Sequence, residues 1–162
     1  MGRQPPTMRA ALVLHGRASG ADAKYGLAEA TASVVRLAHQ SIAERVIAPN
    51  MAAGVLLRVY IHSWNPEIGH LLDELYRPAA SIHQPVVPSL PKVLSQHLSL
   101  QRALALHDAD GFAASVVLAG RLDLFFHTTL MIPAPPYPDE DTLWLLQQCI
   151  SIEDTHDTTL QR

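Results

Sequence analysis

The chain reads as an α/β sandwich, a mostly parallel sheet with helices on its faces. Two observations predict this class. Strand-like apolar runs and stretches of helical periodicity alternate about four times, and Gly, Pro or Asn punctuates the changeovers. A third observation bounds the size: 162 residues, 48 % of them apolar and 17 % charged, suffice for one compact domain with a real core.

Taken in order, "RAALVLHG" (9–16) is a short apolar run closed by Gly16 and predicts a buried first strand. From Leu27 the apolar positions Ala30, Val34, Ala38, Ile42 and Val46 recur at helical spacing, and Pro49 and Asn50 are expected to stop that helix. "VLLRVYIHSW" (55–64), rich in β-branched and aromatic residues, predicts the second strand. Asn65 then offers an N-cap and Pro66 suits the first helical position, with Ile68, Leu71, Leu72 and Leu75 on one face. "AASIHQP" is a brief third strand. Ser89 and Pro91 open another helix, expected to bury Leu90, Val93, Leu94, Leu98, Leu104 and Leu106 and to break at "HDADG". "FAASVVLAG" supplies the fourth strand. The domain is expected to span 1–132, followed over 133–162 by a proline-rich connector, a short helix "LWLLQQCISI" capped by Asp141 or Thr142, and a polar tail.

Composition excludes several function classes. Twelve Lys and Arg against fifteen Asp and Glu leave a formal charge of −3, which is no nucleic-acid surface. Nine His are scattered without the H-E-x-x-H spacing of a zinc site. Cys149 stands alone, so no internal disulfide forms. The apolar run near the start is too short for a signal-peptide core, Pro6 removes the myristoylation pattern, and no stretch approaches the roughly 18 apolar residues of a membrane span. A cytoplasmic setting is expected, with any membrane anchor outside this chain.

In parallel sheets ligands bind outside the carboxyl ends of the strands, which directs attention to Gly16-Arg17, His62-Ser63-Trp64-Asn65 and Arg121-Leu122-Asp123. No G-x-x-x-x-G-K-[ST], G-x-G-x-x-G or G-x-S-x-G is present, so neither a phosphate loop, a dinucleotide fingerprint nor a nucleophile elbow is available. Two D-x-D matches, "DAD" (108–110) and "DED" (139–141), fall where a helix ends and where one begins. The run "SVVLAGRLDLFFH" (115–127) is different, because its charged pair follows a strand. Arg121 and Asp123 share a face two residues apart, either as a matched ion pair at the sheet margin or as ligand groups, Arg for phosphate oxygens and Asp for a hard cation.

"ALVLHGR", "VYIHSWNPE", "KVLSQHLSLQRALAL" and "SVVLAGRLDLFF", in that order over about residues 9 to 130, resemble a glycosyltransferase-like family whose text runs G-x-x-R, D-V-F-x-H-T-W, K-x-x-S-Q-x-x-S and R-x-D. The resemblance implies a Rossmann-like, glycosyltransferase A type fold whose donor-binding part this chain looks like. It implies a nucleotide-sugar donor, a glycan or other hydroxyl acceptor, a role in polysaccharide assembly, and a divalent cation, Mn²⁺ or Mg²⁺, on the diphosphate. By the same resemblance Gly16 and Arg17 would lie near the nucleotide, and Lys92, Ser95 and Gln96 would face the donor from their helix. His62 and Trp64 would line the second strand's exit, Arg121 would contact the diphosphate or sugar, and Asp123 would hold the metal. Arg121 stands where the first acid of D-x-D is usual.

Three functions follow from the sequence. The first is a nucleotide-sugar-dependent glycosyltransferase, with no catalytic base assigned; Glu153 and Asp154 are the acids considered for that role. The second is a catalytically incomplete donor-binding or regulatory module, which the short stretch after the fourth strand favours. The third is an α/β interaction domain without a donor site.

Overall fold

The structure, a computed structural model, describes residues 8–18 and 28–133. It is an α/β fold with an all-parallel four-stranded sheet of order β3-β2-β1-β4, formed by β1 (Arg9–Gly16), β2 (Leu56–Ser63), β3 (Ala80–His83) and β4 (Val116–Arg121). The α/β expectation is therefore met, as are all four strands. The chain steps from β1 outward through β2 to β3 and then returns to the other side of β1. That reversal creates a crevice at the carboxyl ends of β1 and β4, where open α/β sheets bind ligands.

Alternation along the strands distributes the core between two faces. Leu12 and Leu14 of β1 and Val59 and Ile61 of β2 pack with Val35 and Ile42 of α1 (Ala28–Ile42), Val46, and Ile68, Leu71, Leu72 and Tyr76 of the 3₁₀ turn Pro66–Ile68 and of α3 (Gly69–Tyr76). Ala11, Val13 and Tyr60 face the other way, onto Ala103, Leu100 and Leu104 of α4 (Lys92–Asp110) and onto Phe112.

Four details of the helices differ from expectation. The first helix does not stop at Pro49; it passes through a π turn (Ala43–Ile47) into α2 (Ala48–Ala52). Pro49 has no N–H for the carbonyl of Arg45 one turn back, and Leu130 supplies it instead, at 2.9 Å. Asn50, expected as a breaker, is buried and donates through Nδ2 to the carbonyls of Val46 (2.6 Å) and Leu130 (2.7 Å), while its Oδ1 accepts from Ile132 N at 2.8 Å. The N–H of Leu130 thus replaces the one bond that proline removes, and Asn50 holds the same segment through two more.

Asn65 makes no side-chain cap on the turn that follows it. Its Oδ1 accepts from Ala18 N (2.9 Å) and its Nδ2 donates to Glu67 (2.7 Å), so it joins the β1 and β2 exits instead. On α4 the expected face is rotated. Val93 and Leu94 are 75 % and 53 % exposed, and the buried positions are the small residues Ser99 and Ala103. The first turns of α4 overhang the strand ends, where there is no sheet to cover Val93 and Leu94, and small side chains let the next turns approach β1. The helix also runs through "HDAD" to Asp110; only Gly111, at φ 66°, ends it. The connector and helix expected beyond 133, with Asp139, Asp141, Glu153 and Asp154, lie outside the described residues.

Because Asn50 ties the helix to 130–132 through two bonds and holds the carbonyl of Val46 by a third, Asn50→Ala leaves buried backbone groups without partners. It is expected to cost on the order of 2–4 kcal/mol, read as a lowered urea midpoint with an unchanged slope. An unchanged midpoint would refute the role assigned to this side chain.

Candidate functional site

The register of the sheet sets the site. His15 of β1 is the partner of His62 on β2 and of Arg121 on β4, so these side chains form a row across three strands on the α4 face. β1 ends at Gly16, whose φ of 103° suits glycine and turns the chain away from the sheet.

Ser99 of α4 reaches this edge. Its Oγ accepts the N–H of Gly16 at 2.8 Å and lies 2.7 Å from His62 Nδ1. His62 Nε2 stands 3.3 Å from Gln84 Oε1, which also accepts from Arg102. An oxygen that already accepts from a guanidinium orients the neighbouring ring: His62 carries its proton on Nε2, and Nδ1 accepts from the Ser99 hydroxyl. Burial, as the largest influence, holds the His62 pKa below its ordinary value, which matches this neutral form. The spacing is that of a nucleophile and its base, yet Ser99 is 0 % exposed and no substrate reaches its oxygen. The pair is a clamp between α4 and two strand ends.

Trp64 is buried with its Nε1 donating to the carbonyl of Ser95 (3.2 Å), its ring edge-on to His62, and Arg102 over its face at 5.1 Å. It also floors a cleft of about 300 Å³ whose other walls are Arg17, Asn65, Pro66, Glu67, Pro85 and Val86. Arg17 is exposed on that cleft.

At the far side of the row, Arg121 and Asp123 are a matched pair. Arg121 Nε donates to Asp123 Oδ1 (2.8 Å) and Nη2 to Oδ2 (2.5 Å). Leu122 between them is buried in the core on the α1 and α3 face. The Arg121 side chain is 40 % exposed and that of Asp123 only 15 %, so the rim of the crevice presents the cation and keeps the carboxylate behind it.

Of the residues the sequence singled out, Gly16, His62, Trp64 and Ser95 are joined in one hydrogen-bonded assembly around Ser99. Arg17 borders it at the cleft, and Arg121 and Asp123 close the opposite end. Lys92 is exposed and Gln96 half-buried on the first turns of α4; among the described residues neither side chain enters this network. Asp108 and Asp110 sit in the last turn of α4, and Asp110 accepts from Arg58 and Tyr60 there, away from the strand exits. Among the described residues no group of three His, Cys, Asp or Glu side chains is placed to hold a metal ion.

Sequence reasoning missed His15, Ser99, Gln84 and Arg102. His15 had a signal, since it continues the period of two set by Ala11 and Val13 and so faces α4 with them. Ser99 had one too, one helical turn beyond Ser95 at the last position of K-x-x-S-Q-x-x-S. Gln84 and Arg102 had none.

His15 is the electrostatic centre of the row. Its buried Nδ1 has no hydrogen-bond partner. Burial first, then the charges of Arg121 and His62, bring its pKa down to about 4, against a weaker opposing pull from Asp123.

Comparison of the chain with protein-family models, with curated proteins and with solved structures found no match. Among the described residues no helix is long and apolar enough to cross a membrane.

The depressed pKa of His15 makes a pH prediction. The unfolded chain takes up a proton near pH 6.5, whereas the folded chain resists until about pH 4. The stability gained by a neutral, partly buried His15 is therefore complete above pH 6.5 and lost as pH falls from 6.5 toward 4, by about 2–3 kcal/mol. His62 adds in the same direction. Urea midpoints measured across this window should fall with pH in the native chain and fall less in His15→Asn; equal slopes would refute the assignment.

Proposed function

We propose that the carboxyl edge of this sheet binds the diphosphate of a nucleotide-sugar donor, making the chain the donor-binding part of a glycosyltransferase-like protein. The observation that carries the reading is the row Arg121–His15–His62 at the topological switch point, with the guanidinium turned outward. A cation fixed there meets an anionic ligand without reorganising, and a planar guanidinium matches phosphate oxygens. The adjoining cleft beside Arg17 and Trp64 is a site for the nucleoside, bounded by Pro66 and Pro85. In the transfer the anomeric carbon–oxygen bond to the diphosphate breaks as the acceptor hydroxyl bonds to that carbon and gives its proton to a base. Arg121 would act on the departing diphosphate, where negative charge develops.

One observation favours a second reading, a donor-binding module without turnover. The edge's carboxylates are engaged, Asp123 by Arg121 and Glu67 by Asn65, so among the described residues neither is poised as a general base. Release of sugar from the nucleotide, with and without an acceptor, separates the enzyme from the binder.

A thermal-shift panel of UDP, GDP and CMP, each with and without Mn²⁺, tests the reading common to both. One nucleotide at about a hundredfold excess over its Kd is expected to raise Tm by about 5–10 °C, an effect lost in Arg121→Ala. Indifference to all three refutes a donor site.

A further inference from the structure

We propose that the charge of the bound diphosphate is met by Arg121 rather than by a divalent cation, and that Asp123 is the positioning residue that holds Arg121 in place. The inference rests on the donor-site reading above and assigns which chemistry neutralises the ligand there.

Three observations carry it. Both carboxylate oxygens of Asp123 accept from Arg121, Oδ1 at 2.8 Å from Nε and Oδ2 at 2.5 Å from Nη2. A metal ion seated on the remaining lone pairs of Asp123 sits against the guanidinium, two positive groups sharing one carboxylate. Exposure points the same way. Asp123 is at 15 % side-chain exposure and Arg121 at 40 %, so a ligand entering the crevice reaches nitrogen before it reaches carboxylate oxygen.

The third observation is the company the pair keeps. A hard divalent cation takes several oxygen ligands, whereas the pair stands beside the imidazole of His15, with His62 next along the row and the guanidinium of Arg102 beyond it. Among the described residues Asp123 belongs to no group of three His, Cys, Asp or Glu side chains placed to hold a metal ion. Hydrogen-bond donors and cations define an anion site, and the carboxylate has the role of an anchor. The fork fixes two of the guanidinium's N–H directions and so aims the plane of the group, which a single long side chain does not do for itself.

The test is calorimetric titration of the full chain with UDP and with GDP, in excess Mg²⁺, in excess Mn²⁺ and in EDTA. For whichever nucleotide binds, the expected Kd agrees within about twofold across the three buffers. Arg121→Ala is expected to weaken binding about tenfold or more, and Arg121→Lys to recover only part of this because an ammonium keeps the charge but cannot fork. Asp123→Asn, which keeps one acceptor oxygen, is expected to weaken binding about equally in EDTA and in metal. The circular dichroism and melting temperature of each variant separate lost binding from lost fold. Binding that appears only with Mg²⁺ or Mn²⁺, and whose metal requirement disappears in Asp123→Asn, overturns the inference and leaves the donor-site reading standing. Absence of binding by either nucleotide in all three buffers overturns both.

Discussion

The candidate site depends on one buried hydroxyl. Ser99 Oγ takes the N–H of Gly16 and gives its own proton to His62, so a single atom of α4 fastens the exits of two adjacent strands. Both strand groups lose water on burial, and each would cost about 1–3 kcal/mol if left unpaired. Meeting them with one small side chain lets the helix lie close to β1. A larger residue at 99 would lift α4 away, and with it the carbonyl of Ser95 that holds Trp64. The floor of the cleft and the direction of Gly16 both follow from this contact, while burial keeps His62 neutral.

Around that node the molecule sorts charge by position. The amino side of the sheet neutralises its charges internally, as where Asp110 accepts from both Arg58 and Tyr60. At the end of β4 the positive partner is the outer one, Arg121 ahead of Asp123. Two imidazoles kept uncharged by burial lie between Arg121 and Arg102 and spare the edge further repulsion. The edge is tolerable because its charges are few and partly solvated.

A different economy holds the long first crossover. Pro49 removes a backbone donor, and 130–132, which follow β4, return to supply the missing bond through Leu130 and are held there by Asn50. The π turn at Ala43–Ile47 is where the helix widens to admit the proline ring. The segment after the last strand is thereby tied to the helix that follows the first, at the end of the sheet opposite the candidate site.

Local pattern determined the elements of this protein. Apolar runs closed by Gly or flanked by Pro marked all four strands, the alternation of strand and helix implied parallel pairing, and parallel pairing pointed to the strand exits where Gly16, His62, Trp64 and Arg121 are found. Those inferences succeed because periodicity and punctuation act between neighbours in sequence. What tertiary structure alone decided are contacts between residues far apart in the chain: the rotation of α4 that buries Ser99 and exposes Leu94, the row that places His15 between His62 and Arg121, and the passage of a helix through Pro49. The side of Asp123 that meets solvent belongs to the same class. "RLD" states that a cation and an anion stand two apart in the chain; only the end of β4 against the turn that follows it puts the cation in front.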